Sequence, residues 1–203
     1  MPNSIYFTHI YNKKMFGKST SVSGPGSTLE STIEIRQVIP KLIKEYEINS
    51  IADVPCGDLN WVKEIDLKNV DYSGFDIVPN IVEKNRITFS DMQFQVFDAV
   101  EEILPENDLI ICRDLLIHLT NEQSRKVLAN FKKSGSKFLL CSTYTNINFN
   151  KEIVIPRFGV GFRPLNLSLN PFNLGAPEII INENSTEGRG KFTDKSLALW
   201  RIN

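Results

Sequence analysis

Short apolar runs rich in β-forming residues alternate with helical or turn segments along the middle of the chain. Five such runs occupy residues 50–57, 71–78, 94–100, 108–114 and 137–144. Their alternation with helical segments predicts βαβ units and therefore a parallel sheet. Two more runs, 177–183 and 196–202, flank a polar stretch and predict an antiparallel hairpin that ends the sheet. The pattern predicts one α/β domain with a mostly parallel, seven-stranded sheet.

The runs divide this single domain, residues 1–203, into four zones. Residues 1–49 form an N-terminal helical cap and 50–144 the α/β core, while 177–203 form the closing hairpin. Residues 145–176 are too many for an ordinary connection in a compact domain. Because such long loops usually cover a site, we expect this one to cover a substrate.

Two helix starts are marked by the spacing of a capping box. Thr120 and Gln123 predict the start of a helix in the core, and Ser27 and Glu30 predict one in the cap. The residues expected to face inward are Val127, Leu128 and Phe131 in the first helix, and Leu29, Ile33, Val38, Leu42 and Ile43 in the second.

Composition narrows the possible functions. The chain is 41% apolar and 23% charged, and its 23 basic and 24 acidic residues give a net charge of −1. Since no excess positive charge is present, nucleic acid is an unexpected partner. No apolar stretch has the length of a secretory signal or membrane span, so we expect a cytoplasmic protein. Three cysteines in apolar runs, without close Cys or His pairs, predict reduced thiols and no metal site.

Acidic residues follow four of the predicted strands. Asp58 comes after the first strand, Asp76 and Asp98 end the second and third, and Asp114 follows Arg113 at the end of the fourth. Ligands of parallel α/β sheets bind at the carboxyl ends of the strands, near the point where the strand order reverses. These side chains therefore predict a ligand site at that edge.

The same residues favour S-adenosylmethionine over a dinucleotide. Asp58, beside Gly57 and before a predicted helix that carries Trp61, disfavours a pyrophosphate but suits a ligand with ammonium and sulfonium groups. The full G-x-G-x-x-G spacing is absent. Asp76 falls 23 positions after Asp53, which suits an acid that accepts the ribose hydroxyls. Asp98 could accept from an adenine amino group.

Four segments, IADVPCGDLNW, YSGFDIV, FDAVEE and LIICRDLLIHL, resemble the successive motifs of class I S-adenosylmethionine-dependent methyltransferases. The resemblance covers roughly residues 50–144 and implies a doubly wound, Rossmann-like sheet. It implies that Asp53 and Gly57 hold the methionine part, that Asp76 holds the ribose, and that Arg113 lines the cofactor. Pro55 and Leu59 stand where glycines often stand in that family. The residues predicted to bind cofactor are Arg36, Asp53, Pro55, Cys56, Gly57, Asp58, Trp61, Asp76, Ile77, Asp98, Ala99 and Arg113.

Two residues after the fourth strand are candidates for catalysis. His118 lies four positions after Asp114, so both can face one cleft if this segment is helical. A histidine can take a proton from an acceptor hydroxyl near neutral pH. The alternative is that His118 caps a helix or packs in the core. His9 is expected to be structural or exposed.

Segments of the cap and of the tail bear on the methyl acceptor. The cap SGPGSTLESTIEIR and the tail FRPLNLSLNPFNLGAP with SLALW resemble those of small bacterial methyltransferases, some of which modify capsule or surface polysaccharide. That resemblance implies a small-molecule acceptor such as a sugar hydroxyl or a phosphoramidate-type group. Candidates for holding it are Tyr6, Tyr11, Tyr144, Arg157 and Arg163.

Two other functions stay open. A nicotinamide-dependent oxidoreductase could use the same fold, although Asp58 and the missing glycines disfavour it. A non-catalytic module that binds S-adenosylmethionine would keep Asp76 but need neither His118 nor a loop over the substrate. Base methylation of nucleic acid is disfavoured because CRDLL, and no Pro-Pro-aromatic or Pro-Cys segment, follows the fourth strand.

Overall fold

The computed structural model describes residues 2–17, 20–154 and 159–203. Within them, the strands are Ser50–Asp53 (β1), Asp71–Asp76 (β2), Gln93–Val96 (β3), Leu109–Cys112 (β4), Phe138–Tyr144 (β5), Ile179–Asn182 (β6) and Lys195–Arg201 (β7). These seven strands form one sheet in the order β3-β2-β1-β4-β5-β7-β6. Strands β1 to β5 are parallel to one another, and β7 runs antiparallel between β5 and β6. This topology confirms the predicted seven-stranded, mostly parallel sheet with its C-terminal hairpin.

Helices cover both faces of the sheet, which makes the fold doubly wound. The helices are Asn3–Asn12 (α1), Ile33–Glu45 (α2), Pro79–Thr88 (α3) and Asn121–Lys133 (α4), with a four-residue helical turn at Glu187–Gly190 and 3₁₀ turns at Pro25–Ser27, Val62–Glu64 and Leu116–His118. Apolar side chains of α4, such as Val127 and Phe131, pack with Trp200 on one face. Ile35 and Ile39 of α2 pack with Val82 of α3 on the other.

The start of α4 confirms the capping box in the core. Thr120 Oγ1 accepts a hydrogen bond from the backbone N–H of Gln123 at 3.1 Å, and Gln123 Oε1 accepts one from the backbone N–H of Thr120 at 3.0 Å. Each bond satisfies an amide that the first helical turn leaves without a partner. The predicted inward residues of this helix are buried.

The cap helix begins later than predicted. Helix α2 starts at Ile33, and Ser27 lies instead in a 3₁₀ turn, where its carbonyl accepts a hydrogen bond from Asn60 at 2.9 Å. Leu29 and Ile33 are 40% and 44% exposed, while Ile35 is fully buried. Leu42 is buried and Val38 and Ile43 pack against the core, as predicted. The predicted start of the helix and the inward placement of Leu29 and Ile33 were wrong, because the bond to Asn60 holds the preceding segment across the end of β1, where it cannot continue the helix.

The segment after β1 also departs from prediction. No α-helix carries Trp61, which precedes a 3₁₀ turn, Val62–Glu64, and is buried. Leu59 has a φ of 53°, a left-handed conformation that interrupts helical geometry just before Trp61. The chain between β1 and β2 is therefore a compact loop.

Three further expectations concern the cysteines, a metal site and a membrane span. All three cysteines are buried and free of disulfide bonds. In the part of the chain that the structure describes, no group of three His, Cys, Asp or Glu side chains could hold a metal ion. Over the same residues, no helix is long and apolar enough to cross a bilayer.

Candidate functional site

A cleft lies at the carboxyl ends of β1, β2 and β4, where the strand order of the sheet reverses direction. An apolar slot beside it shares Phe7, Pro55 and Asp76 with the cleft and continues to Asp98 and Ala99, after β3. Two open spaces thus form one groove across four strand ends. The predicted residues that line the cleft are Tyr11, Asp53, Pro55, Cys56, Gly57, Asp58, Trp61, Asp76, Ile77, Arg113, Asp114 and His118.

Asp53 and Asp76 are buried carboxyl groups at the ends of neighbouring strands. The hydroxyl of Tyr72 donates to Asp53 Oδ2 at 2.6 Å. Burial raises the pKa of Asp53 to about 7, despite this hydrogen bond. Burial also raises the pKa of Asp76 to about 6, although the N–H groups of Val78 and Gly57 donate to its two oxygens. Both acids therefore sit where a cationic ligand would favour their ionised form.

Gly57 allows the backbone to turn closely at the end of β1. Its φ is 55°, in the left-handed region, and a Cβ at this position would lie 2.3 Å from Ser23 Oγ. Its N–H donates to Asp76 at 3.1 Å, and its carbonyl accepts from Asn85 Nδ2 at 2.7 Å. Sequence reasoning missed Asn85, whose only signal was a polar residue on the buried side of a helix.

Residues 20–28 of the cap, called the strap below, cross the cleft beside Gly57. Asp58 Oδ1 accepts from Ser21 Oγ and its Oδ2 accepts from the N–H of Val22, both at 2.8 Å. Asp58 therefore lines the cleft but uses both carboxylate oxygens to hold the strap. Sequence reasoning recognised the strap as a small-residue loop but not as part of the cleft wall, to which Ser23 and Ser27 contribute.

Five charged side chains gather at the ends of β4, β6 and β7. Both Arg113 and Lys195 are buried; Arg113 pairs with Glu183, and Lys195 Nζ lies 2.7 Å from Asp114 Oδ2 and 3.3 Å from Glu187. Burial alone would raise the pKa of Asp114, but Lys195 and Arg113 lower it well below its usual range. Asp114 thus stays ionised and cannot serve as a proton donor near neutral pH.

His118 lines the cleft with one ring nitrogen committed. Its Nδ1 lies 2.6 Å from the carbonyl oxygen of Gly161. A carbonyl only accepts, so Nδ1 carries the proton and Nε2 has a free lone pair. Burial lowers the pKa of His118, which keeps the ring neutral near pH 7. Phe16 and Phe162 lie against the ring, with centroids 5.4 and 6.3 Å away.

The fold matches those of solved methyltransferases, although no protein-family model and no curated protein matches the chain. Magnesium protoporphyrin IX methyltransferase from Synechocystis, with bound S-adenosylmethionine, is 11% identical with a TM-score of 0.63, over 98% of this chain and 96% of that one. The N-methyltransferase NodS from Bradyrhizobium japonicum, with S-adenosylhomocysteine, is 11% identical with a TM-score of 0.65, over 98% of each chain. 1,6-Didemethyltoxoflavin-N1-methyltransferase from Burkholderia thailandensis is 10% identical with a TM-score of 0.64, over 98% of this chain and 86% of that one. The chain shares the fold of these methyltransferases.

Within this methyltransferase fold, two predicted binding arginines lie outside the cleft lining. Arg36 donates to Thr32 Oγ1 and to the carbonyl of Leu29, both in the segment just before its helix. Arg163 is buried and donates to the carbonyls of Lys151 and Leu116 and to Asn121. Both guanidinium groups bind backbone because the chain segments around them leave carbonyls that need donors.

Of the tyrosines predicted to hold the acceptor, Tyr11 alone lines the cleft. Tyr11 lines the cleft and accepts from Lys84 Nζ at 2.8 Å, while the hydroxyl of Tyr6 accepts from the N–H of Gly161 at 3.2 Å. Tyr144 is 1% exposed and packs against Phe162 and Phe192, away from the cleft lining. Arg157 lies outside the described residues. His9 is exposed.

Proposed function

We propose that this protein is an S-adenosylmethionine-dependent methyltransferase that methylates a small polar acceptor. The observation that carries the proposal is the row of carboxyl groups at three neighbouring strand ends. Asp53 and Asp76 end β1 and β2, Asp98 follows β3, and all three line the groove formed by cleft and slot. This order matches the methionine, ribose and adenine parts of one extended cofactor.

The slot has the chemistry of an adenine site. Its walls include the apolar side chains of Val54, Phe97 and Leu119, which suit a flat aromatic base. Asp98 Oδ1 accepts from the N–H of Val100 at 3.0 Å, and its second oxygen, which no described residue binds, can accept from an exocyclic amine. Asp76 receives one backbone N–H on each oxygen, and each oxygen has a further lone pair for a ribose hydroxyl. The residues present therefore fit S-adenosylmethionine.

The charge of the cleft favours this cofactor over a dinucleotide. Four carboxyl groups line it, and the pyrophosphate of a nicotinamide cofactor would lie against Asp58 at the end of β1. An oxidoreductase is therefore the weaker candidate. A non-catalytic binding module is also weaker, because a neutral histidine with a free Nε2 lines the same cleft.

The bound cofactor supplies a methyl group on a sulfonium that is ready for direct displacement. His118 Nε2 takes the proton of the acceptor, and the Gly161 carbonyl holds the ring in the tautomer that leaves Nε2 free. Phe16 and Phe162 pack against the ring and restrict its movement. Asp114, ion-paired with Lys195, contributes fixed negative charge and no proton transfer.

For the acceptor, the proposal is a sugar hydroxyl or a phosphoramidate-type group of a capsule precursor. Its support is the resemblance of the cap and tail to small bacterial methyltransferases of surface polysaccharide. Arg163 gives this choice of acceptor no further support, because its N–H groups already donate to Lys151, Leu116 and Asn121. We also propose that nucleic acid is no substrate, because acidic groups predominate in the cleft.

Calorimetric titration tests the cofactor. We expect S-adenosylmethionine and S-adenosylhomocysteine to bind with micromolar dissociation constants and NAD not to bind. Asp76→Ala should weaken the binding of S-adenosylmethionine and of S-adenosylhomocysteine by about 10- to 100-fold, because the lost charged acceptor contributes about 1.5–3 kcal/mol to binding. Asp91→Ala, an exposed acid after α3, is the matched control and should bind as the native chain does. Binding of NAD alone, or of none of the three, refutes the proposal.

A further inference from the structure

One nitrogen of the Arg113 guanidinium is unsatisfied. Nε and Nη2 donate to the two oxygens of Glu183, and Nη2 also donates to the carbonyl of Gly26 in the strap at 2.8 Å. Nη1 is buried and has no hydrogen-bond partner among the described residues, although Asp114 Oδ2 lies 3.4 Å away. A buried donor without a partner is costly and rare in proteins. Because Arg113 lines the cleft, a ligand there can supply the missing acceptor.

The chemistry of this nitrogen selects the kind of acceptor. Burial alone would lower the pKa of Arg113, but Glu183 and Asp114 together raise it above its ordinary value, so the guanidinium stays charged. A charged N–H donor binds an anionic oxygen more strongly than a neutral one. Glu183 fixes the plane of the guanidinium, and the centroid of the Trp61 ring lies 5.8 Å from the central carbon, Cζ, of Arg113. Nη1 is thus a fixed donor suited to a carboxylate.

The strand order places this donor at one end of the groove. Asp98 and Ala99 follow β3 at the adenine slot, and Arg113 follows β4, three strands further along the sheet. Neighbouring strands are about 4.8 Å apart, so the two ends of the groove are separated by roughly 14 Å. A nucleoside in the slot with its ribose at Asp76 therefore extends toward Arg113 with its opposite, amino-acid end.

We propose that Arg113 Nη1 binds the carboxylate of the amino-acid end of the cofactor; this rests on the proposed function. Among the described residues that line the cleft, Arg113 has the only permanent positive charge. Lys195, which shares Asp114 and Glu183 with Arg113, is surrounded by Asp114, Glu183 and Glu187. Because Nη2 of the same guanidinium holds Gly26, the carboxylate site and the strap share one side chain.

Comparison of two ligands measures the contribution of the carboxylate to binding. S-adenosylhomocysteine and its decarboxylated analogue, S-adenosyl-3-thiopropylamine, share the nucleoside, thioether and ammonium groups and differ in the carboxylate alone. Calorimetry of the native chain should show S-adenosylhomocysteine binding about 10- to 100-fold more tightly. In Arg113→Lys, which keeps a charge beside Glu183 but has one terminal nitrogen, this ratio should fall close to one. Arg201→Lys, at an exposed pair with Glu178, should leave the ratio unchanged.

The affinity ratio distinguishes a role of Arg113 in binding the carboxylate from a purely structural role. A purely structural role for Arg113 would weaken both ligands equally, and an unchanged ratio in Arg113→Lys overturns the proposal. If the lysine variant unfolds, as judged by thermal melting, Arg113→Gln is measured in the same way. An affinity ratio near one in the native chain also overturns the proposal. This outcome includes the case in which Nη1 binds an anionic methyl acceptor instead of the cofactor. Failure of the native chain to bind either ligand instead refutes the proposed function.

Discussion

Replacing Asp53 with asparagine should stabilise the ligand-free protein at alkaline pH and leave it nearly unchanged at acidic pH. Asp53 is 2% exposed and accepts a hydrogen bond from Tyr72, which an asparagine Oδ1 can also accept. The substitution therefore preserves shape and hydrogen bonding and removes the ionisation. A pH-dependent difference in the free energy of unfolding between Asp53→Asn and the native chain therefore measures the cost of a buried charge at the end of β1.

The magnitude follows from the shift in pKa. Burial raises the pKa of Asp53 from 3.8 to about 7. Between these values the native state keeps a proton that the unfolded chain has released, so the free energy of unfolding falls by about 1.4 kcal/mol per pH unit. The stabilisation from the protonated acid is complete below the unfolded pKa and is lost as the pH rises through the folded pKa. From about pH 5 to about pH 8, the loss is about 2–3 kcal/mol.

Urea unfolding, followed by the fluorescence of Trp61 and Trp200, measures this difference at several pH values. The free energy of Asp53→Asn minus that of the native chain should rise by about 2–3 kcal/mol over this range. Burial lowers the pKa of His118, whose contribution to stability is lost as the pH falls, but this contribution cancels in the difference. Asp91→Asn is the exposed control. A difference constant to within about 0.5 kcal/mol refutes the reasoning.

Three further substitutions test the cleft and the scaffold. His118→Ala should slow turnover by about 10²- to 10⁴-fold while calorimetry shows unchanged cofactor binding, and the native rate should rise with pH through a pKa below 6.5; an unchanged rate removes His118 from the mechanism. Gly57→Ala should lower the free energy of unfolding by about 1–3 kcal/mol, because an alanine is strained at φ 55° and its Cβ meets Ser23 Oγ. Adding Ser23→Gly should restore part of that loss in the same urea assay, and no recovery argues against the contact. Thr120→Ala should cost about 1 kcal/mol through the lost capping box without changing the affinity for S-adenosylhomocysteine.

Local pattern was sufficient for the sheet and for α4. Buried strands such as Leu109–Cys112 are continuous apolar runs, because helices cover both faces of a parallel sheet. The capping box of Thr120 and Gln123 joins residues three positions apart, so its spacing is visible in the sequence. The acids after β1, β2 and β3 were predicted to share one edge because parallel strands end on the same side.

Local pattern failed where a distant residue changed the outcome. Ser27 had the spacing of a helix cap, but its carbonyl is bound by Asn60, 33 residues away, and the helix begins at Ile33. Leu29 and Ile33 recur at helical spacing and still lie half-exposed, since the strap preceding them is held by Asp58. Periodicity alone could not show which face such a short segment would bury.

The sequence by itself determined the class of fold and the position of the ligand edge, because both depend on the order of strands and on residues that directly follow them. Only the tertiary structure decided what each charged group does. Arg113 meets Glu183 and Asp114 meets Lys195 across 70 and 81 residues, so neither pairing leaves a local pattern. These pairings hold Asp114 ionised and leave one nitrogen of Arg113 without a hydrogen-bond partner in the described part of the chain. Side-chain chemistry in this cleft is set by contacts that form only when the sheet and its hairpin are assembled.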